Sequence, residues 1–474
     1  MGSIDELYRA SDAVALAGHI RAGEVTAAEV TEAAIRAIEA LNPRLNAVIH
    51  RLDDMARAQV AQGVSGPLAG VPWLLKELAS SWTGAPVTNS SRYLRDQVAT
   101  SDSVVVSRMK AAGLVLVGKS NAPENGWSIT TEPVLYGPTV NPWDAAVTPG
   151  GSSGGTAVAV AAGLVPLGES SDGAGSIRVP ASCCGVVGLK PSRGRVTLAP
   201  LADYWMGGAY FLCNSRTVRD TAAYLDAVAG GLPGDPYPCP LPDRPFAALA
   251  TEVPHRLRIG FTVTDPTGNP VAPEVAAVVC ATARALEGQG HHVSQYDMTT
   301  DLGLLWRAYT DMSVVEAAGF WDWMETVTGR PVTPEEVEPV TWAIIGRGRA
   351  TMATAHAGRV EQLRQMGRAI VTELSPFDVY LTPTLTRPPR PVGFYDMSLT
   401  DLDAYNALWA DAVFMTPFNV SGQPAMSLPL GMAGLLPVGV QVVGRPGDEA
   451  TVLQVATLLE QVMPWRDRRP PVHW

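Results

Sequence analysis

Short apolar runs alternate with amphipathic stretches along most of the chain. Several of these runs are flanked by Gly, Pro or polar residues, which is typical of buried strands. They cover 70–78, 114–121, 257–261, 378–384 and 437–444. The alternation predicts an α/β fold with a large mixed, mostly parallel central sheet, covered by helices on both sides.

Apolar residues spaced three and four apart predict helices between these runs. The helical segments are 24–43 (ending before Pro43), 104–113, 156–168 (ending in a turn), 275–293 (with a strand beginning at its end) and 449–462. A proline-rich segment, 231–245, predicts an extended surface connection.

The stretch 301–375 has a helical pattern and is rich in aromatic residues: Trp306, Trp321, Trp323 and Trp342. Tryptophans at helical spacing favour the core, and an apolar pocket or lid is the alternative. We therefore expect each of the four to pack in the core.

Composition excludes several classes of protein. A hydrophobic content of 46% over 474 residues suits a globular core, and a net charge of −11 disfavours nucleic acid and anionic membranes as partners. No signal-like segment or membrane span is expected. Five cysteines without CxxC spacing favour reduced thiols over a disulfide framework or a zinc site. We expect a cytoplasmic protein without a metal.

Residues 149–155 read PGGSSGG and frame Ser152 in a G-x-S-x-G pattern. That pattern marks the nucleophile of an α/β-hydrolase only when a strand leads into it. The preceding NPWDAAVTP is typical of a loop, and no histidine lies between His50 and His255. A Ser-His-Asp hydrolase is therefore the disfavoured alternative.

A second serine framed by glycine lies 24 residues further along, at Ser176. The run Gly173–Ala174–Gly175–Ser176 offers successive backbone N–H groups that can stabilise an oxyanion. A serine nucleophile needs a base, and a buried lysine held neutral can serve. Of the four lysines in the chain, Lys76 in the apolar segment GVPWLLKEL is the best candidate.

These segments together resemble the amidase signature family. The resemblance is carried, in this order, by GVPWLLKEL, VGKSNAPENGW, TTEPVLYGPTVNPWD, GGSSGG, SDGAGSIRVPASCCGVVGLKPSRGR and TPFNVSGQPAMSLPLG. It is dense over about 60–220 and 409–446 and weak over 240–400. Any one of these motifs alone would be weak evidence, but several in a fixed order are specific.

The resemblance implies a Ser–Ser–Lys triad. Ser176 would be the nucleophile, Ser152 a proton relay that follows a cis peptide bond, and Lys76 the general base. The backbone N–H groups of Gly173, Ala174, Gly175 and Ser176 would form the oxyanion hole, and no metal or cofactor is implied. The family commonly has a glycine where this chain has Ala174, which would be strained if its φ were positive.

Residues around the triad also receive roles. Asp172 and Arg178 flank the nucleophile, and we expect an ion pair that supports the loop. By resemblance, Asn125, Thr130 and Thr131 lie in a loop that lines the substrate cleft, although turn formation is an equal alternative. Residues 203–206 follow the signature and could also reach the cleft.

The resemblance implies a serine hydrolase that cleaves amide bonds, with carbamates (urethanes) as further candidates. It is greatest to the branch that hydrolyses nylon-oligomer cyclic amides, aryl acylamides and urethanes, which suits a neutral apolar or aromatic small molecule. Alternatives are a small aliphatic amidase, the A-type subunit of a glutaminyl-tRNA amidotransferase, and a catalytically silent binding scaffold.

We expect a single domain over 1–474. Its parts would be a signature core at 60–220, a variable aromatic-rich segment at 231–400 that covers the substrate, and a C-terminal core part at 409–462. The expected partner is an amide or carbamate substrate. A homodimer is left open.

Overall fold

One large sheet runs through the computed structural model, which describes residues 3–78 and 80–474. Its eleven strands are β1 Val48–Arg51, β2 Pro72–Lys76, β3 Val115–Ser120, β4 Leu167–Asp172, β5 Val187–Lys190, β6 Tyr210–Ser215, β7 Arg258–Phe261, β8 His292–Gln295, β9 Val379–Pro383, β10 Ala425–Ala433 and β11 Leu436–Val443. Their order across the sheet is β1-β3-β2-β4-β6-β5-β10-β11-β9-β7-β8.

Helices pack around this sheet. They are α1 Ile4–Ala10, α2 Ala13–Arg21, α3 Ala27–Leu45, α4 Asp53–Ala61, α5 Val104–Ala111, α6 Gly154–Ala161, α7 Arg178–Cys184, α8 Val218–Val228, α9 Phe246–Leu249, α10 Pro273–Gly288, α11 Leu302–Thr328, α12 Pro339–Ala350, α13 Ala353–Leu374, α14 Leu402–Ala407, α15 Thr416–Ser421 and α16 Glu449–Val462. Short 3₁₀ turns cover Arg92–Leu94, Glu124–Gly126, Trp205–Gly207 and Leu408–Ala412. No helix within residues 3–78 and 80–474 is long and apolar enough to cross a membrane.

The α/β class and the mixed sheet are confirmed, but the expectation of a mostly parallel sheet is wrong. Six neighbouring strand pairs are antiparallel, and four are parallel. The parallel pairs form two groups, β3-β2-β4 and β9-β7-β8. Between them lies antiparallel structure that includes the tight β10–β11 hairpin. Buried apolar runs indicate that a strand is buried but not its direction, so the sequence pattern did not show which strands are antiparallel.

Most predicted elements are present, and one helix boundary is wrong. α3 continues through Pro43 to Leu45 instead of stopping before the proline. Pro43 lies in the last turn, where it removes the one backbone bond that its own nitrogen would donate, and the helix ends two residues later. Thr26, the N-cap residue of α3, forms a capping box with Glu29, and this fixes the start of the helix.

Candidate active site

Lys76 is the last residue of β2, and its side chain is fully buried. Its Nζ lies 2.8 Å from Oγ of Ser152 and 2.9 Å from Oγ of Ser171. Ser171 belongs to β4, the parallel neighbour of β2 in the sheet. Two adjacent strands therefore hold the Lys76 amine against Ser152 of the PGGSSGG loop.

The PGGSSGG loop contains a cis peptide bond between Gly151 and Ser152, as expected. Its glycines allow close packing, because a Cβ on Gly151 would lie 2.2 Å from the carbonyl oxygen of Thr130. A Cβ on Gly155 would lie 2.4 Å from the backbone nitrogen of Asn121. The glycines are thus required where neighbouring backbone touches the loop.

Thr130 and Thr131 hold this loop and do not line the cavity described below. The Thr131 hydroxyl donates to the Gly150 carbonyl (2.9 Å) and accepts from the Gly154 N–H (3.2 Å). Thr130 bonds to Thr148 and Glu132. These bonds favour the alternative role in loop formation for both threonines, and substrate contact stays a prediction.

Ser176 lies between β4 and α7 and is 5% exposed. The preceding carboxylate of Asp172 organises the turn, because it accepts from the backbone N–H groups of Gly175 (2.7 Å) and Ile177 (3.1 Å). Arg178 makes a bidentate pair with Asp172, at 2.9 Å for each bond. The expected ion pair is present, and both side chains are fully buried.

Two residues from the C-terminal part complete this ion pair. The Arg178 guanidinium donates to Oδ1 of Asn419 (2.5 Å) and to Oε1 of Gln441 (2.7 Å). The Asn419 amide also donates to Oδ1 of Asp172 (2.9 Å). Burial alone would raise the pKa of Asp172, but Arg178 and Asn419 hold that pKa well below its usual range. No sequence motif pointed to these two partners, although both lie in C-terminal segments that resemble the family.

The proposed oxyanion hole needs one correction. The Gly175 N–H donates to Asp172 and is not available to an oxyanion. Gly175 has φ +116°, whereas Ala174 is not among the positive-φ residues, so its methyl group is not strained. In the described part of the chain, no residue accepts from the N–H of Ala174 or Ser176. The donors left for an oxyanion are those of Gly173, Ala174 and Ser176.

Burial lowers the pKa of Lys76 to about 7, although the carboxylates of Glu169 and Asp172 oppose this shift. Glu169 is also fully buried. Its carboxylate accepts from the backbone N–H of Lys76 at 3.2 Å and from the Ser80 hydroxyl. Burial raises the pKa of Glu169 to about 7. A lysine with such a pKa is partly neutral at pH 7 and can accept a proton.

Ser152 and Ser176 open into a cavity of about 900 Å³. Eleven aromatic residues are among those that line it: Trp127, Tyr204, Trp205, Tyr210, Phe211, Trp306, Tyr309, Phe320, Trp323, Tyr405 and Trp409. Trp205 packs against the turn that leads to Ser176, because a Cβ on Gly173 would lie 2.3 Å from its ring. Of the residues predicted to contact substrate, Asn125 does line this cavity.

The four tryptophans of the aromatic-rich segment separate into different environments. Trp321 is fully buried in a small core cluster, as expected. Trp306 and Trp323 line the cavity instead, and Trp323 is 54% exposed. Trp342 is 37% exposed and lies in neither place. Helical spacing shows that a face is apolar but not what covers it.

The site holds a partly neutral lysine, two serines and free backbone donors beside a cavity. This combination is typical of a serine hydrolase in which lysine replaces histidine as the base. Comparison with known proteins gives the particular family. The family model described as Amidase matches residues 29–453, so the chain belongs to the amidase family.

Curated relatives support the same assignment. The chain is 40% identical to the 6-aminohexanoate-cyclic-dimer hydrolase of Paenarthrobacter ureafaciens, over 97% of this chain and 96% of the relative. It is 33% identical to an acylamidase of Rhodococcus erythropolis, over 97% of this chain and 96% of that relative. A solved structure of 6-aminohexanoate cyclic dimer hydrolase complexed with substrate has a TM-score of 0.94 at 39% identity, over 98% of this chain and 99% of that one. The protein is an amidase-signature hydrolase that acts on amide bonds.

Proposed function

We propose that Ser176 is the nucleophile, Ser152 the proton relay and Lys76 the general base of this hydrolase. The observation that carries the proposal is the 2.8 Å contact between Lys76 Nζ and Ser152 Oγ, at a cavity that both serines line. The pKa of Lys76 near 7 supports the same roles, because a base should titrate near the working pH.

The reaction then proceeds by acyl transfer. Ser176 Oγ attacks the carbonyl carbon while its proton passes to Ser152, and the Ser152 proton passes to Lys76. When the C–N bond breaks, Lys76 returns the proton through Ser152 to the leaving nitrogen. Water attacks the acyl-enzyme through the same relay and releases the acid. The N–H groups of Gly173, Ala174 and Ser176 stabilise the oxyanion, and loss of one such donor costs roughly 3–4 kcal/mol in other hydrolases.

The substrate is a bulky neutral amide with an apolar or aromatic part, cyclic or linear. The large, aromatic-walled cavity supports this choice over a short aliphatic amide, which would leave most of the wall without contact. The two relatives named above, a cyclic-dimer hydrolase and an acylamidase, support it as well. Carbamates fit the same reaction and are a further candidate.

Cytoplasmic location belongs to the same proposal and is supported by five free cysteines, three of them buried. A homodimer also stays a prediction. Sedimentation of the purified protein at several concentrations gives the oligomeric state directly.

Two experiments test the function. A fluorophosphonate probe should label wild-type protein at Ser176 but not S176A, and active wild-type protein without label would contradict the nucleophile. Anilides, cyclic and linear amides and carbamates should then be ranked by kcat/KM. Equal turnover of a short aliphatic amide and an anilide would contradict the substrate class.

A further inference from the structure

A second cavity, of about 140 Å³, shares no lining residue with the active site. It lies where α6 ends, beside Ala161 and Ala162, whereas the other end of α6 follows the PGGSSGG loop. Its polar walls come from Arg9 on α1, Arg216 after β6, and the segment that holds Arg469 and His473. Among the described residues, no Asp or Glu lines it.

Among the described residues, no carboxylate forms an ion pair with the arginines of this cavity, although Asp220 and Asp12 oppose the lowering of the Arg216 pKa by burial. The Arg216 guanidinium donates to the carbonyl of Ser11 (2.7 Å), and the Arg9 guanidinium lies 4.8 Å from the centre of the Trp474 ring. Within residues 3–78 and 80–474, Arg469 makes no hydrogen bond or ion pair. This is unusual in a chain whose net charge is −11.

Two of the nearby acidic groups are already engaged, and a third, the exposed Asp467, opposes the lowering of the Arg469 pKa. Asp12 makes a bidentate pair with Arg219, at 2.5 and 2.7 Å. Asp220 accepts from the backbone N–H groups of Ala13 (2.9 Å) and Val14 (3.0 Å). Burial and the proximity of Arg216 lower the pKa of Arg469 to about 10. The two guanidinium groups therefore repel each other beside a cavity whose lining, in the described part of the chain, includes no Asp or Glu side chain.

We propose that this cavity binds a multivalent oxyanion of the phosphate or sulfate type. Guanidinium groups match such anions because each presents a planar fork of donors. Arg216 and Arg469 face the cavity from two separate segments and would hold the anion between them. Such an anion removes the repulsion between the two arginines, and a monovalent carboxylate does so less completely.

Thermal unfolding at constant ionic strength tests the proposal. Inorganic phosphate and sulfate should raise the wild-type Tm saturably, because a ligand bound only to the folded state stabilises it, whereas acetate and chloride should not. R469Q should bind phosphate at least about tenfold more weakly, which is the effect of losing one charge-assisted hydrogen bond. The phosphate affinity of R469K should lie between those of wild type and R469Q, because lysine keeps the positive charge but not the planar fork of donors.

The matched control is R284Q, which removes the same charge from an exposed position of α10. It should keep the full response to phosphate. Equal responses of wild type and R469Q, or a response to acetate as large as that to phosphate, would overturn the site. Amide hydrolysis should be unchanged in R469Q, so failure of this proposal and of the proposed function are distinguishable.

Discussion

Lys76 is an ordinary side chain given an unusual charge state by its position. Full burial at the end of β2 lowers its pKa to about 7, while Ser152 and Ser171 fix its amine in place. Protonated lysine cannot accept a proton, so activity should depend on the fraction that is neutral.

In wild type, kcat/KM should fall about tenfold per pH unit below pH 7, because protonation of Lys76 removes the base. K76A should lose roughly 10²–10⁴-fold in kcat/KM at pH 7, and part of the activity should return at alkaline pH. A pH profile of both proteins with one anilide checks this. An unchanged profile in K76A would rule out the lysine base.

Asp172 and Arg178 contrast with Lys76, because they are buried together as an ion pair, with exposed fractions of 0%. D172N should leave the Arg178 charge uncompensated and lower the free energy of unfolding by about 3–5 kcal/mol. Urea unfolding measures this. The control is D53N, whose partner Arg51 is 37% exposed, and it should cost at most about 1 kcal/mol. Similar losses in the two variants would contradict a special role for the buried pair.

At the scale of elements, the PGGSSGG loop and α6 form a unit packed directly on neighbouring backbone. Gly155 lies inside α6, where a Cβ would meet the Asn121 backbone at 2.4 Å, whereas a Cβ on Gly358 in α13 would meet no described atom within 4 Å. Both glycines are helical, so they differ in available space and not in helix propensity.

G155A should therefore lower Tm and kcat/KM together, because α6 must shift and move Ser152 away from Lys76. G358A should leave activity unchanged and stabilise the protein by up to about 1 kcal/mol. Differential scanning calorimetry and kcat/KM measure both effects. A G155A protein with wild-type Tm and activity would show that the close packing is not required.

Local motifs predicted the proposed reacting groups and the supporting Asp172–Arg178 pair, but not the other residues that support the site. Lys76, Ser152 and Ser176 lie in short segments whose residue types already point to their chemistry. The roles of Thr130 and Thr131 depend on which backbone lies beside them in three dimensions, and the sequence does not show this. The same holds for Asn419 and Gln441, which lie 241 and 263 residues from their partner Arg178.

At the scale of the molecule, the strands of the two halves of the chain lie side by side in one sheet, β1–β6 on one side and β7–β11 on the other. β10 pairs with β5 from the N-terminal half, and β11 continues to β9. The connection between the halves, by contrast, runs over the surface, and residues 231–234 are exposed. The fold should therefore depend on the paired strands and not on continuity at this connection.

A protease site inserted after Gly234 tests this dependence. After cleavage, the two fragments should co-elute on size exclusion and keep most of the activity, because the β5–β10 pairing and the Arg178 contacts remain. The uncleaved insertion variant is the control. Separation of the fragments under native conditions would contradict a single cooperative unit.

The contacts of Arg178 also constrain the time at which the enzyme becomes active during synthesis. A ribosome makes Lys76, Ser152 and Ser176 in the first half of translation, but it adds Asn419 and Gln441 only near the end. Until then the Asp172–Arg178 pair lacks the amides that enclose it, and the nucleophile turn is left without its final support. A nascent or prematurely terminated chain is therefore expected to carry all three reacting side chains and still be inactive.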